Sequence, residues 1–233
     1  MPRKSRIILP GEPVHVIQRG RNRKTCFFYE EDYKFYLQWL EEYANEAGCS
    51  IHAYVLMPSH IHLLLTPDQK NSVAVLMKRL GQRYVQYINR AYQRSGTLWD
   101  GRFRSCVAQQ EKYLFFCQQF IELNPVRSAY ASDPADYQWS SYRINALGEK
   151  STLVKPHSLY LDLGDTCQAR QTSYRKMFAR TLHPSLITQI IQSTNGDYAL
   201  GGKRFIHDLA KTLGRKVVQG KPGRPRKDLL QSS

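Results

Sequence analysis

The sequence predicts an α+β fold: a ferredoxin-like βαββαβ unit with a central antiparallel sheet, followed by extra C-terminal helices and a basic tail. Three observations carry this. The apolar period switches between two and about 3.6 in that order over residues 14–109, a short turn (MPSH) joins two adjacent apolar runs, and Gly20, Gly48 and Gly96 close periodic segments. VHVIQRG (14–20) alternates like a strand and ends in a glycine turn. From Glu30 to Ala47 the apolar positions Tyr33, Tyr36, Leu37, Leu40, Tyr43, Ala44 and Ala47 recur every three or four, an amphipathic helix closed by Gly48. CSIHAYVLM (49–57) and HIHLLLTP (60–67) read as a β-hairpin, the second strand stopped by proline. Asn71 or Ser72 caps a long helix reaching about Arg94, and RFRSCVAQ (102–109) reads as the fourth strand. In this topology the first and third strands are the central pair. Helical signal returns over 111–123, then 136–147, 184–192 and 203–213. The tail GKPGRPRKD is expected to be extended unless bound.

A chain of 233 residues suits one main domain with extensions. No apolar run approaches a membrane span, and the start, MPRKSRIILPGEP, has only three consecutive apolar residues, so a cytoplasmic protein is expected. Five cysteines without a CxxC pair provide neither a zinc knuckle nor a disulfide framework. The net charge of +15 is concentrated at the ends: residues 1–24 carry seven Lys/Arg against one acid, and residues 203–228 nine against two. Clustered cations gain by releasing counterions from phosphates, so a nucleic acid is the expected partner.

The stretch VLMPSHIHLLL (55–65) carries two imidazoles inside an apolar run. On a strand His60, His62 and Leu64 face one side while Ile61, Leu63 and Leu65 face the other, toward the helices. A single histidine there would be an ordinary hydrogen-bonded core residue. Two at i and i+2 must satisfy four ring nitrogens in a poorly hydrated place, which points to metal ligation. Zinc would want two further strong ligands that are not nearby, so Mg²⁺ or Mn²⁺, completed by water and phosphate oxygens, is expected. The helix after the fourth strand, EKYLFFCQQFIELNPVR, carries Tyr113 near its start, but among 15 tyrosines spacing alone does not select it.

His-hydrophobe-His after MPSH, a Tyr-bearing helix running into IELNPVR, and HVIQRGRNRK near the start together resemble the REP-associated tyrosine transposases, stand-alone relatives of the single-tyrosine HUH endonucleases and single-strand transposases. The resemblance covers about residues 8–145. It implies a nuclease and transposase domain over 1–148, leaving a helical extension over 149–215 and a basic tail over 216–233. It also implies a metal-dependent endonuclease and strand transferase that cleaves and rejoins single-stranded DNA at repetitive palindromic hairpins. His60 and His62 would match the metal-binding pair. Tyr113 would match the nucleophile, leaving a 5′-phosphotyrosine and a free 3′-hydroxyl. One helical turn after Tyr113, where relatives can carry a third ligand such as Gln, stands Cys117, followed by Gln118 and Gln119, so that ligand stays open.

Arg19, Arg21, Arg23, Lys24, Arg102 and Arg104 are candidates for clamping phosphates, and Arg224 and Arg226 for a minor-groove hook. A monomer associated with the bacterial nucleoid, attacking in cis along the short path from the fourth strand to the helix, is expected; in the alternative, a dimer, a helix swapped between subunits would supply Tyr113 in trans. The competing expectation is a catalytically silent protein, derived from a transposase, that binds DNA hairpins. RNA binding on the sheet would call for exposed aromatics on the first and third strands, where histidines stand instead.

Overall fold

Residues 5–220 are described in the computed structural model. The antiparallel core consists of β1 (Val14–Arg19), β2 (Cys49–Met57), β3 (His60–Pro67) and β4 (Arg104–Ala108). Helices α1 (Glu30–Ala47) and α2 (Ser72–Ala91) complete the βαββαβ order. With a short fifth strand, β5 (Ala199–Leu200), the sheet order is β2-β3-β1-β4-β5, with β1 and β3 central and antiparallel, as the fold class requires.

One face of the sheet is sealed by α1 and α2. Val14, Val16, Ile61, Leu63 and Leu65 pack there against Tyr36, Leu40, Leu76, Leu80 and Tyr84. Each fully buried aliphatic side chain contributes roughly 1.5–3 kcal/mol. The two helices are also tied by a carboxylate. Asp32 accepts from the backbone N–H groups of Phe28 (2.7 Å) and Tyr29 (3.1 Å) ahead of α1, and from the hydroxyls of Tyr87 (2.8 Å) and Tyr92 (2.9 Å) at the end of α2.

The other face carries a second helical layer. Here α3 (Gln110–Glu122) and α8 (Pro184–Asn195) cover β2, β3 and β4, with Leu114, Cys117, Ile121 and Ile190 against Val55, Met57, Leu64, Cys106 and Ala108. The short helices α4 (Asn124–Arg127), α5 (Tyr142–Leu147) and α6 (Ser158–Leu161) and the longer α7 (Cys167–Phe178) follow α3. After α8 the chain adds a two-residue strand, β5 (Ala199–Leu200), parallel to β4, and ends the described region with α9 (Lys203–Leu213). The 184–213 segment therefore contributes to the same sheet as the first strands.

Several boundaries differ from expectation. The long helix stops at Ala91 rather than near Arg94, because Gln93 turns left-handed (φ 49°) and the Arg94 N–H reaches back to the Asn89 carbonyl at 2.9 Å. β4 begins at Arg104, which leaves Arg102 in the loop before it. Only Tyr142–Leu147 of the expected 136–147 helix is α-helical; Trp139 and Ser140 instead bond along β2, the Trp139 carbonyl accepting from the Leu56 N–H at 2.9 Å.

Candidate functional site

The register of β1 and β3 builds the site. Arg19 lies opposite His60, Ile17 opposite His62 and His15 opposite Leu64, so Arg19, Ile17, His15, His60 and His62 all project from the face that α3 and α8 cover. Arg19 and His60 stand at the end of the sheet where β1 turns back through GRNRK. A Cβ on Gly20 would come within 2.2 Å of the Lys24 carbonyl oxygen, so only glycine permits that close turn.

These residues line a cavity of 440 Å³ together with Arg23, Ser59, Phe120, Asn124, Arg127, Thr194 and Asn195. A hydrogen-bond chain runs through its floor. The Thr194 hydroxyl donates to the Ile190 carbonyl at 2.8 Å, so its oxygen accepts from His15 Nδ1–H at 2.9 Å. His15 Nε2 is then an acceptor, and His62 Nδ1–H donates to it at 2.8 Å. The chain fixes the His62 tautomer with a bare lone pair on Nε2. His60 stands edge-on to His62, ring centroids 5.2 Å apart, with Ser59 Oγ 3.2 Å from its Nδ1 and Asn124 Nδ2 3.4 Å from its Nε2. Burial is the main force holding all three imidazoles neutral, with the cationic side chains of Arg19 and Arg127 adding to it. His60 is lowered to about 4, His15 to about 3, and His62 well below the usual range, where His15 and His60 add to the effect. His52, by contrast, is a satisfied core histidine, bonded to the Lys155 carbonyl (2.7 Å) and Thr66 Oγ1 (2.9 Å).

The fit to a divalent ion is conditional. His60 and His62 supply two nitrogens, but Arg19, Arg23 and Arg127 surround them, and the cavity lining holds no carboxylate. Among the described residues no group of three or more His, Cys, Asp or Glu is placed to hold a metal. The three guanidinium groups suit an anion, whereas the bare His62 Nε2 lone pair suits a cation, which would need phosphate oxygens to complete its shell.

Helix α3 decides which side chain faces the pair. β4 runs antiparallel to β1, so it ends beside Val14, at the end of the sheet away from His60. α3 starts there and returns along the sheet, reaching the histidines only after two turns. Phe120 is the residue that arrives: its ring stands 5.6 Å from both His15 and His62. Asn124 and Arg127 follow at the i+4 and i+7 positions, on the same face, and the Arg127 guanidinium lies over the Phe120 ring at 4.3 Å. Tyr113 is not brought to the cavity. It is half-buried in the first turn of α3, about 10 Å of helix before Phe120, with its ring edge-on to Phe116. Nor do the residues after it reach the cavity: Cys117 is buried in the core, and Gln119 Nε2 donates to the Met177 carbonyl at 2.5 Å.

With this geometry in place the relatives can be named. Residues 12–124 match the family model described as "Transposase IS200 like". Over this segment, just under half of the chain, the sequence is similar to the IS200-like transposases. A curated Haemophilus influenzae protein, named provisionally as a REP-associated tyrosine transposase, is 26% identical over 145 residues, which is 58% of this chain and 80% of that protein. A solved structure of a REP-associated tyrosine transposase bound to a REP hairpin superposes with a TM-score of 0.52 at 17% identity, covering 67% of this chain and 93% of that one. At that identity the likeness is one of fold.

Within residues 12–124 the expected cations divide. Arg19 and Arg23 line the histidine cavity, Arg19 donating to Asn195 Oδ1 at 2.9 Å. Arg21 and Lys24 line a smaller neighbouring cleft with Arg94. Arg104 is paired to Asp197 at 3.1 Å, and Arg102 is exposed on a separate cleft beside α2. Arg224 and Arg226 lie outside the described residues. The sequence reading missed His15, Phe120, Asn124, Arg127 and Thr194. A usable signal existed for three of them, since Phe120, Asn124 and Arg127 share one helical stripe in FIELNPVR. No helix among the described residues is long and apolar enough to cross a membrane.

Proposed function

We propose that this chain binds single-stranded or hairpin DNA, with one phosphodiester seated in the cavity between His60, His62, Arg19 and Arg127. The charge of that cavity carries the reading: three guanidinium groups converge with no carboxylate among the lining residues. Arginine forks suit phosphate oxygens, and the basic ends of the chain would hold flanking nucleotides. The match of residues 12–124 to the IS200-like transposase model and the hairpin-bound structural neighbour support DNA as the source of the phosphate.

Cleavage through a 5′-phosphotyrosine would require the Tyr113 hydroxyl beside the bound phosphorus. Tyr113 lies two turns away, and Phe120 stands at the histidine pair instead. The geometry therefore favours a hairpin-binding protein in which strand transfer is silent within one chain. Mg²⁺ or Mn²⁺ would enter together with the phosphodiester, held by His60 and His62, and would offset phosphate charge when bound.

A labelled palindromic hairpin with single-stranded flanks, incubated with Mn²⁺, Mg²⁺ or chelator, tests this. Salt-dependent binding without a covalent protein-DNA adduct is expected. An adduct that disappears in Tyr113→Phe would reinstate the cleaving enzyme, and absence of binding would remove the DNA reading altogether.

A further inference from the structure

On the opposite side of β1 from the histidines lies a second cleft, of 630 Å³, between α2 and residues 97–103. Its floor contains polar atoms without hydrogen-bond partners among the described residues. Gln18 Oε1 and Trp99 Nε1 are both unpaired, and their residues are only 7% and 5% exposed. A buried N–H or C=O left unpaired costs roughly 1–3 kcal/mol, so two at one place call for an explanation. Gly81 supplies the access. It sits inside α2, where glycine costs about 1 kcal/mol against alanine, and a Cβ there would meet only Gln18 Nε2 and Trp99 Nε1, both at 3.9 Å. The helix surface is thus open directly above an amide and an indole N–H. Met77 and Val85 give the cleft apolar walls, and exposed Lys78 and Arg102 stand at its rim.

We propose that this cleft takes one unpaired nucleobase of the bound DNA strand. A nucleobase edge carries an acceptor beside a donor: the acceptor would take the Trp99 indole N–H and the Gln18 amide N–H, and the donor would reach Gln18 Oε1. Lys78 and Arg102 would hold the adjoining phosphates. The proposal rests on the reading of this chain as a single-strand DNA binder. Gln18 and Arg19 are neighbours on opposite faces of β1, so a strand leaving the histidine cavity would pass round the sheet end at the Gly20–Trp99 bridge to reach the cleft.

The test uses the full chain labelled with ¹⁵N at its three tryptophans, the Trp99 indole signal being assigned with Trp99→Phe. It is titrated with a mixed-sequence single-stranded oligonucleotide and with an abasic strand of the same length. The Trp99 signal is expected to move with the base-bearing strand and to stay in place with the abasic one. Gly81→Leu and Gln18→Met are expected to suppress that movement and to weaken binding about 5- to 150-fold, the range for loss of one base contact. Gly81→Ala, which favours the helix, controls for folding by thermal melting. A Trp99 signal that stays still while the strand binds would overturn the base cleft and leave the DNA reading standing. Equal movement with the abasic strand would also overturn it. Failure of both strands to bind would overturn the two readings together.

Discussion

His62 Nδ1 stands 2.8 Å from His15 Nε2, and this contact sets what the histidine pair can do. Because Thr194 fixes the far side of His15, the chain orders its protons in one direction and leaves His62 Nε2 unprotonated toward the cavity. His15→Ala would leave the His62 N–H without its buried partner. A loss of about 1–3 kcal/mol in denaturant unfolding is expected, together with weaker hairpin binding by fluorescence anisotropy. Unchanged affinity in a folded His15→Ala protein would show that the tautomer does not matter for binding.

Arg127 lies over the Phe120 ring and donates to the Phe120 carbonyl at 2.5 Å, which aims the guanidinium at the cavity mouth. If it meets a single-strand phosphate, Arg127→Gln should lower affinity and reduce the slope of log K against log salt concentration by about 0.7. Arg127→Lys should keep the slope and lose part of the affinity, because an ammonium neither stacks nor forks. A salt slope identical in wild type and Arg127→Gln would place the phosphate elsewhere.

The sequence carries the frame of this fold well and its site only in part. Residue types with strict periods, such as Val14–Val16 or Tyr36–Leu40, have one way to be buried, so α1, β2 and β3 fall on the expected residues. His60 and His62 were legible for the same reason, two imidazoles on one strand face. Which part of α3 meets them was not. That depends on β4 ending at the far end of the sheet, so the facing side chain is Phe120 and not Tyr113. α7 and β5 escaped because CQARQTSYRKMF has little apolar period, and a two-residue strand has none to show.

Phe120 supplies a direct test of whether the missing element is the hydroxyl alone. Phe120→Tyr adds one oxygen to a ring already packed against His62. With Mn²⁺ and a labelled single strand, this variant is expected to form a covalent adduct that survives denaturing electrophoresis, where the wild type forms none. Failure to form an adduct despite normal hairpin binding would mean that the cavity lacks more than a nucleophile.

Glu122, two residues after Phe120, is fully buried and ties α3 to the segment that follows it. Its carboxylate accepts from Ser141 Oγ (2.5 Å), Asn145 Nδ2 (2.8 Å) and the Tyr174 hydroxyl (2.9 Å). Burial outweighs these three bonds and raises its pKa from 4.5 to about 7. A carboxyl with a raised pKa holds its proton more tightly when folded, so the stability it contributes is full below about pH 4.5 and is lost as pH rises through 7. The whole effect is on the order of 3 kcal/mol. Unfolding free energy of the wild type is therefore expected to fall between pH 5 and 8, whereas Glu122→Gln, which cannot ionise, should lose that part of the slope and be the more stable protein at pH 8. Parallel pH profiles for the two proteins would show that Glu122 stays ionised in the fold, held by its three donors against the cost of burial.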